Sequence, residues 1–322
     1  MRKKVFNLGV KELLKLAAIV GPTAIGKTEV SIMVAEKIGG EIISCDSMQI
    51  YKGMDIGTAK VGKEERLRIK HHMIDIVDPG VNYSVADYQR EVKKIIADIN
   101  KNGKIPILVG GTGLYYQAVV DDYHFLPMHS RQEVRRKWED LIEKRGLAFA
   151  YEYLRVVDPD YSKIISPNDK KRIIRALEVF EITGKPFSKF QTRDISCYNL
   201  AVVGLYMERN ELYKRINYRV EEMIKKGLID EVYELWKKGY DLTFNSMQGL
   251  GYKQVLYYLE GFLTKEELIN EIKRETRHYA KRQWTWFKKD KRISWFNVSE
   301  FISKEELAKK ISNYIEGQLC PV

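Results

Sequence analysis

Gly21-Pro22-Thr23-Ala24-Ile25-Gly26-Lys27-Thr28 fits GxxxxGK[ST], with an apolar run at 16–20 before it and Val30, Val34 and Ile38 at helical spacing behind it. Strand, glycine loop and helix in this order turn successive backbone N–H groups and a helix N-terminus toward one point, where linked phosphates replace water. The feature commits the chain to an α/β fold with a parallel sheet. Further apolar runs at 42–45, 105–109 and 201–207 end in polar or glycine-rich turns, as buried parallel strands do. Ser84 and Asp87 read as a capping box opening a helix, with Val92, Ile95, Ile96 and Ile99 on its apolar face and Gly103 as its stop.

The texture changes near residue 121 to charged helical segments carrying Arg131, Arg135, Arg136, Lys137, Lys144 and Arg145, without a strand pattern. The pattern predicts a phosphate-loop core over 1–122 and 198–322, ending in helices, and a helical insertion over 123–197. Asn210 is placed to cap a helix with Leu212, Ile216, Val220 and Ile224 on one face, ending near Gly227. After Met207 the remainder reads mostly as helix.

A balance of 55 Lys+Arg against 44 Asp+Glu gives a net charge of +11, which favours phosphates, nucleic acid or an acidic surface. Cys45, Cys197 and Cys320 form no CxxC pair and no zinc spacing, so a reducing cytoplasm fits. Arg2, Lys3 and Lys4 imitate a secretory leader, but Lys15 interrupts the apolar stretch. No run approaches the roughly 20 apolar residues of a membrane span. No obligate protein partner is evident.

A phosphate loop does not reveal which bond breaks. With ATP or GTP the terminal phosphoryl group is transferred; with an allylic diphosphate a carbon–oxygen bond cleaves and diphosphate leaves whole. In either case Lys27 and Thr28 meet phosphate oxygens, and Thr28 Oγ is placed for a bound Mg2+. Asp46 follows the run 42–45 at the carboxyl edge of the sheet, where open α/β folds hold ligands. It is open there to three roles: a base for an attacking amine or hydroxyl, the cap of the next turn, or a magnesium ligand. The glycines of Gly110-Gly111-Thr112-Gly113 admit either a substrate close to the backbone or only a tight turn.

Seven segments together resemble the bacterial tRNA dimethylallyltransferase (isopentenyl-diphosphate:tRNA transferase) family: GPTAIGKT (21–28), ISCDSMQIYKGMDIGTAK (43–60), HHMIDIVDP (71–79), VGGTGLYYQA (109–118), SPNDKKRIIRALEVFEITGKP (166–186), QGLGYKQ (248–254) and KRQWTWF (281–287). The resemblance implies Mg2+-assisted transfer of a dimethylallyl group from dimethylallyl diphosphate to N6 of adenosine 37 in tRNA. It makes Asp46 the base, and Thr28 and Lys27 the groups on the diphosphate, with Arg215 of the RIxxR segment reaching it from a helix. It also implies tRNA contacts at Asp46, Ser47, Met48, Gln49, Thr112 and Arg135. Gln248, Gly249, Leu250, Gly251, Tyr252 and Lys253 help choose the tRNA. Met48 stands where an Arg is common in the family.

Two stretches exceed the basic charge of an ordinary mixed surface. Residues 163–193 hold eight basic and three acidic residues, and 271–292 hold nine and three. Lys171, Arg172 and Arg175 recur at helical spacing in the first, and Lys281 and Arg282 lie among aromatics in the second. Such stripes suit either a solvated face or the phosphates of an anticodon stem-loop. An adenine in that loop has to be extruded to reach Asp46 and the 248–253 turn.

Overall fold

The computed structural model describes residues 13–126 and 132–320. Arg2, Lys3 and Lys4 of the leader-like opening, and Arg131, lie outside the described residues. The chain divides into two compact units, Met1–Val120 with Ser196–Val322, and Asp121–Ile195.

The first unit is built on β1 (Lys15–Val20), β2 (Gly40–Cys45), β3 (His71–His72), β4 (Ile105–Gly110), β5 (Asn199–Tyr206) and β6 (Ile293–Asn297), in the order β3-β2-β4-β1-β5-β6. All pairings are parallel. The sheet side chains follow a period of two: Ala17, Ile19, Ile42 and Val203 face the helices Lys27–Ile38 and Lys304–Leu319, whereas Leu16, Ala18, Val20, Ile43 and Val202 face Val85–Lys101 and Gly113–Val120. Burial on both faces explains why these strands read as unbroken apolar runs.

The chain leaves β1 toward one side to form β2, and after β4 it crosses to the other side of β1 to form β5. The direction of winding therefore reverses at β1. A crevice opens at that reversal, beyond the carboxyl ends of the strands, and the phosphate loop sits in it.

Ser84 and Asp87 do form the capping box, with reciprocal hydrogen bonds of 3.2 Å. One sequence expectation needs correction and another an addition. Asn210 lies inside the helix Arg209–Lys225, whose cap is Glu208 without a side-chain hydrogen bond. The stretch after Met207 is mostly helix, as read, with one strand added. Ile293–Asn297 is an edge strand that follows a basic turn and pairs with β5 from Val202 to Tyr206.

In the second unit the helices Gln132–Arg145, Leu147–Val157 and Lys170–Thr183 enclose Trp138, Ile142, Ala150, Leu154, Ile173 and Leu177. Its described residues form no strand, only an isolated bridge from Tyr123 to Arg193.

Candidate functional site

The phosphate loop owes its shape to backbone that few side chains tolerate. Gly21, Ala24 and Gly26 have φ of 145°, 63° and 100°. Gly26 caps the helix beginning at Lys27, so the loop's N–H groups and the helix N-terminus converge. Lys27 Nζ donates to the carbonyls of Gly21 and Pro22 at 2.9 and 2.8 Å. Burial, with Arg219 close by, pushes its amine down to about 7, although Asp46 opposes the shift. Thr28 is exposed to the cleft.

That cleft, of about 780 Å3, is walled by the loop from Thr23 to Thr28, by Ser44, Asp46 and Gln49, by Thr58, Ala59 and His71, and by Arg219, Tyr279 and Gln283. A second cleft of about 1060 Å3 adjoins it, and Thr23, Asp46, Thr58, Arg219 and Tyr279 line both. The second is more apolar, with Met48, Ile216, Val220, Met223, Leu250 and Ile272 in its wall. Asp46 therefore stands where the polar cleft meets the more apolar one.

Asp46 Oδ1 accepts from the N–H of Met48 at 2.9 Å, so the carboxylate does shape its own turn. This leaves Oδ2 for a ligand. The turn is held from below by Thr112, whose N–H donates to the Cys45 carbonyl and whose Oγ1 accepts from the Ser47 N–H, both at 3.1 Å. Gln49 joins Ser44 Oγ to the Thr58 carbonyl at 2.9 and 3.2 Å. Met48 packs on Gly249, where an added Cβ would meet its Cε at 2.4 Å. A side chain at 249 would have to displace the end of Met48 for the 248–253 turn to lie against the Asp46 turn.

The wall at Thr58 and Ala59 is clamped by charge. Lys60 Nζ pairs with Asp55 and Asp75, each at 2.6 Å, and donates to the Tyr51 carbonyl. Glu231 accepts from the N–H groups of Asp55, Ile56 and Gly57 at 2.9, 2.8 and 3.2 Å, and from the Tyr252 hydroxyl at 2.6 Å. Tyr252 is thus a buried cleft wall, while Lys253 lies over the Tyr257 ring and Gln248 is bonded to the Leu242 carbonyl.

Asp46, Lys27, Thr28 and the rest of the loop come together as expected, but Arg215 does not join them in the cleft. It is exposed and lines a separate cavity of about 730 Å3 with Gly26, Val30 and Phe301. Arg219, one turn later, occupies the cleft. Burial lowers its guanidinium from the ordinary value, and Asp46 opposes the shift.

The glycines after β4 make room for protein. An added Cβ on Gly110 would lie 2.1 Å from the Cys45 carbonyl oxygen, on Gly111 2.1 Å from Gln283 Nε2, and on Gly113 2.3 Å from the Trp286 ring. Gln283, Tyr279 and His71 carried no role in the sequence reading. Burial and nearby Asp46 hold the Tyr279 phenol above its ordinary value. Burial holds His71 below its own, with Nδ1 on the Ile69 carbonyl at 2.7 Å. Nothing in their spacing marks them, since each takes its place through tertiary packing. Lys281 and Arg282 are exposed, and Arg282 lines the apolar cleft.

In the Asp121–Ile195 unit, Arg135, Arg172 and Arg175 pair locally with Glu139, Asp169 and Glu178 at 3.2, 3.2 and 2.9 Å. Lys171 is exposed on the same helix.

A family model described as IPP transferase matches residues 49–290. The chain is 64% identical over 306 residues to the tRNA dimethylallyltransferase of Syntrophomonas wolfei, covering 95% of this chain and 99% of that protein. It is 49% identical to that of Caldanaerobacter subterraneus over 95% of this chain and 99% of the relative. Among solved structures, it is similar to the tRNA isopentenylpyrophosphate transferase of Bacillus halodurans, with a TM-score of 0.72, 43% identity, and coverage of 95% and 97%. A eukaryotic dimethylallyltransferase acting on tRNA matches with a TM-score of 0.74 at 32% identity, over 88% of this chain and 73% of that one.

Proposed function

This chain belongs to the IPP transferase family, and from that premise we propose that it transfers a dimethylallyl group from dimethylallyl diphosphate to N6 of adenosine 37 of tRNA. The supporting observation is the shared wall of the two clefts, which sets Asp46 beside Arg219 between a phosphate loop and an apolar chamber. The diphosphate lies in the loop against Lys27, Thr28 and Arg219, and the isoprenoid carbons take the apolar side. The extruded adenine offers its amine to Asp46.

In the reaction N6 attacks C1 of the allyl group, the C1–O bond breaks with its electron pair going to diphosphate, and the amine proton passes to the Asp46 carboxylate. Negative charge grows on the departing oxygen, where Lys27, Arg219 and the loop N–H groups are already oriented, so they stabilise the transition state more than the ground state. The apolar wall keeps water from the carbocation-like carbon.

Mg2+ suits this site: Thr28 Oγ is a hard oxygen donor open to the cleft, and an ion held by one hydroxyl, phosphate oxygens and water is ordinary for magnesium. When bound, it would neutralise charge on the leaving diphosphate. Among the described residues no three His, Cys, Asp or Glu side chains gather to hold a metal by themselves. Ser47, Met48, Gln49, Thr112, the 248–253 turn, Lys281 and Arg282 support the tRNA in this reading, with Arg135, Lys171, Arg172 and Arg175 in the insertion. The soluble setting is the cytoplasm, and no described helix is long and apolar enough to cross a membrane.

A phosphate-loop kinase for a small metabolite is not favoured, because the relatives and the solved neighbours carry tRNA prenylation in their names. Incubating the protein with Mg2+ and either 14C-labelled dimethylallyl diphosphate or γ-labelled ATP, with and without tRNA, tests the proposal. Label on tRNA from the allylic donor alone is expected. Label on a small acceptor from ATP would overturn it.

A further inference from the structure

Gln283 lies in the middle of the machinery without belonging to the loop, the base turn or the nucleic-acid surfaces. It is only 5% exposed and projects from the helix Lys265–Phe287. Its Oε1 accepts from the Thr23 N–H at 2.8 Å, and its Nε2 donates to the Gly111 carbonyl at 2.9 Å. One carboxamide thus joins the phosphate loop after β1 to the turn after β4. Because an added Cβ at Gly111 would collide with Nε2, this turn is shaped around the amide.

The path continues to the base. Thr112, next to Gly111, holds the Cys45 carbonyl and the Ser47 N–H, the groups on either side of Asp46. The chain of hydrogen bonds therefore runs from Thr23 through Gln283, Gly111 and Thr112 to the two neighbours of Asp46. The Tyr279 phenol reaches both Gln283 and Thr112 beside this path.

We infer that Gln283 is a positioning residue that holds the phosphate loop in register with the Asp46 turn, so that seating the diphosphate also sets the base. This deepens the proposed transferase reading and rests on it. In-line attack needs the amine, the allylic carbon and the leaving oxygen aligned at about 3–3.5 Å. Diphosphate fixes one end of that line and Asp46 the other. A carboxamide suits the place because it accepts and donates at once. A carboxylate accepts from Thr23 but repels the Gly111 carbonyl, and a thioether makes neither bond.

The test uses the full-length protein with tRNA varied up to saturation. Gln283→Met keeps the length of the side chain, and it is expected to lower kcat by roughly tenfold to a hundredfold, the scale of a small misplacement, while the KM for tRNA stays within about twofold. Thr112→Val, which removes the Ser47 bond, is expected to give a loss of the same order, and Thr112→Ser to restore most of it. The double variant should lose less than the product of the single losses, because both changes cut one path. Parental kcat in folded Gln283→Met, or fully multiplicative losses, overturns the inference.

A second measurement needs neither variant nor tRNA. Inorganic diphosphate added to the parent protein should slow hydrogen exchange at the Ser47 amide as well as within the loop. Protection confined to the loop also overturns the inference. If the parent transfers nothing to tRNA but shows this protection, the functional reading fails and the mechanical link stands.

Discussion

Two glycine-rich turns close the carboxyl ends of the neighbouring strands β1 and β4, and they serve opposite purposes. Around Gly26 an added Cβ would meet nothing nearer than Arg215 at 4.0 Å, whereas Gly110, Gly111 and Gly113 would each strike protein atoms at 2.3 Å or less. The first turn is open on its Gly26 side, although a Cβ on Gly21 would meet the Leu205 carbonyl oxygen at 2.6 Å, and the second is filled by Cys45, Gln283 and Trp286. A glycine cluster after a strand therefore marks where something comes close to the backbone, and only the surrounding packing says whether it is substrate or protein.

The sharpest way to break this contrast is to alter the group between the turns. Asp46→Ala should lower the rate of prenyl transfer by roughly a thousandfold or more, the upper range for a positioned base, with tRNA affinity unchanged in filter binding. Lost binding with intact turnover of bound tRNA would contradict the role. At the filled turn the damage should go to folding. Gly110→Ala, with its added carbon against the Cys45 carbonyl, should cost about 2–4 kcal/mol of stability in denaturant titration. A parental unfolding midpoint would show that the second turn is not packed as described.

The two arginines one turn apart refine the open turn. Arg219→Gln should raise the KM for the allylic donor and lower kcat, together by roughly tenfold to a hundredfold in kcat/KM. Arg215→Gln, on the far side of Gly26, should change it by less than about threefold. The reverse order would move the anion to the other cavity.

Lys27 adds a pH dependence. The diphosphate favours the charged Lys27 ammonium, so donor binding takes up a proton above about pH 7, and affinity should fall by up to about tenfold per pH unit beyond it. Stability follows the opposite sign. The folded value is below the unfolded one, so between the two the unfolded chain binds more protons and stability rises with pH. Calorimetry in two buffers of different ionisation enthalpy measures the uptake, and Lys27→Met should abolish it.

How much of this was legible beforehand follows the range of the interactions. β1, β2 and β4 were readable because strands buried on both faces must be apolar throughout. The phosphate loop was readable because its chemistry is local to eight residues. The strand Ile293–Asn297 was not, since an edge strand mixing Ser294 and Asn297 with Trp295 has no such run. Arg215 and Arg219 flank one apolar stripe and look alike in sequence. What separates them is that Arg219 lines the apolar cleft with Tyr279 and Thr276 while Arg215 lines the separate cavity with Phe301. Gln283 sat in plain view inside a basic, aromatic segment, but its partners Thr23 and Gly111 are distant in the chain.

Glu231 concentrates risk in a single carboxyl group. Three successive amides, from Asp55 to Gly57, and the Tyr252 phenol all lean on it, so any fluctuation that withdraws it unfastens the four together. These amides should open to solvent in concert, as one small cooperative patch, and carry the neighbouring Thr58 and Ala59 with them. The chamber would then breathe on that patch's own timescale, slower than side-chain motion and faster than unfolding of the sheet.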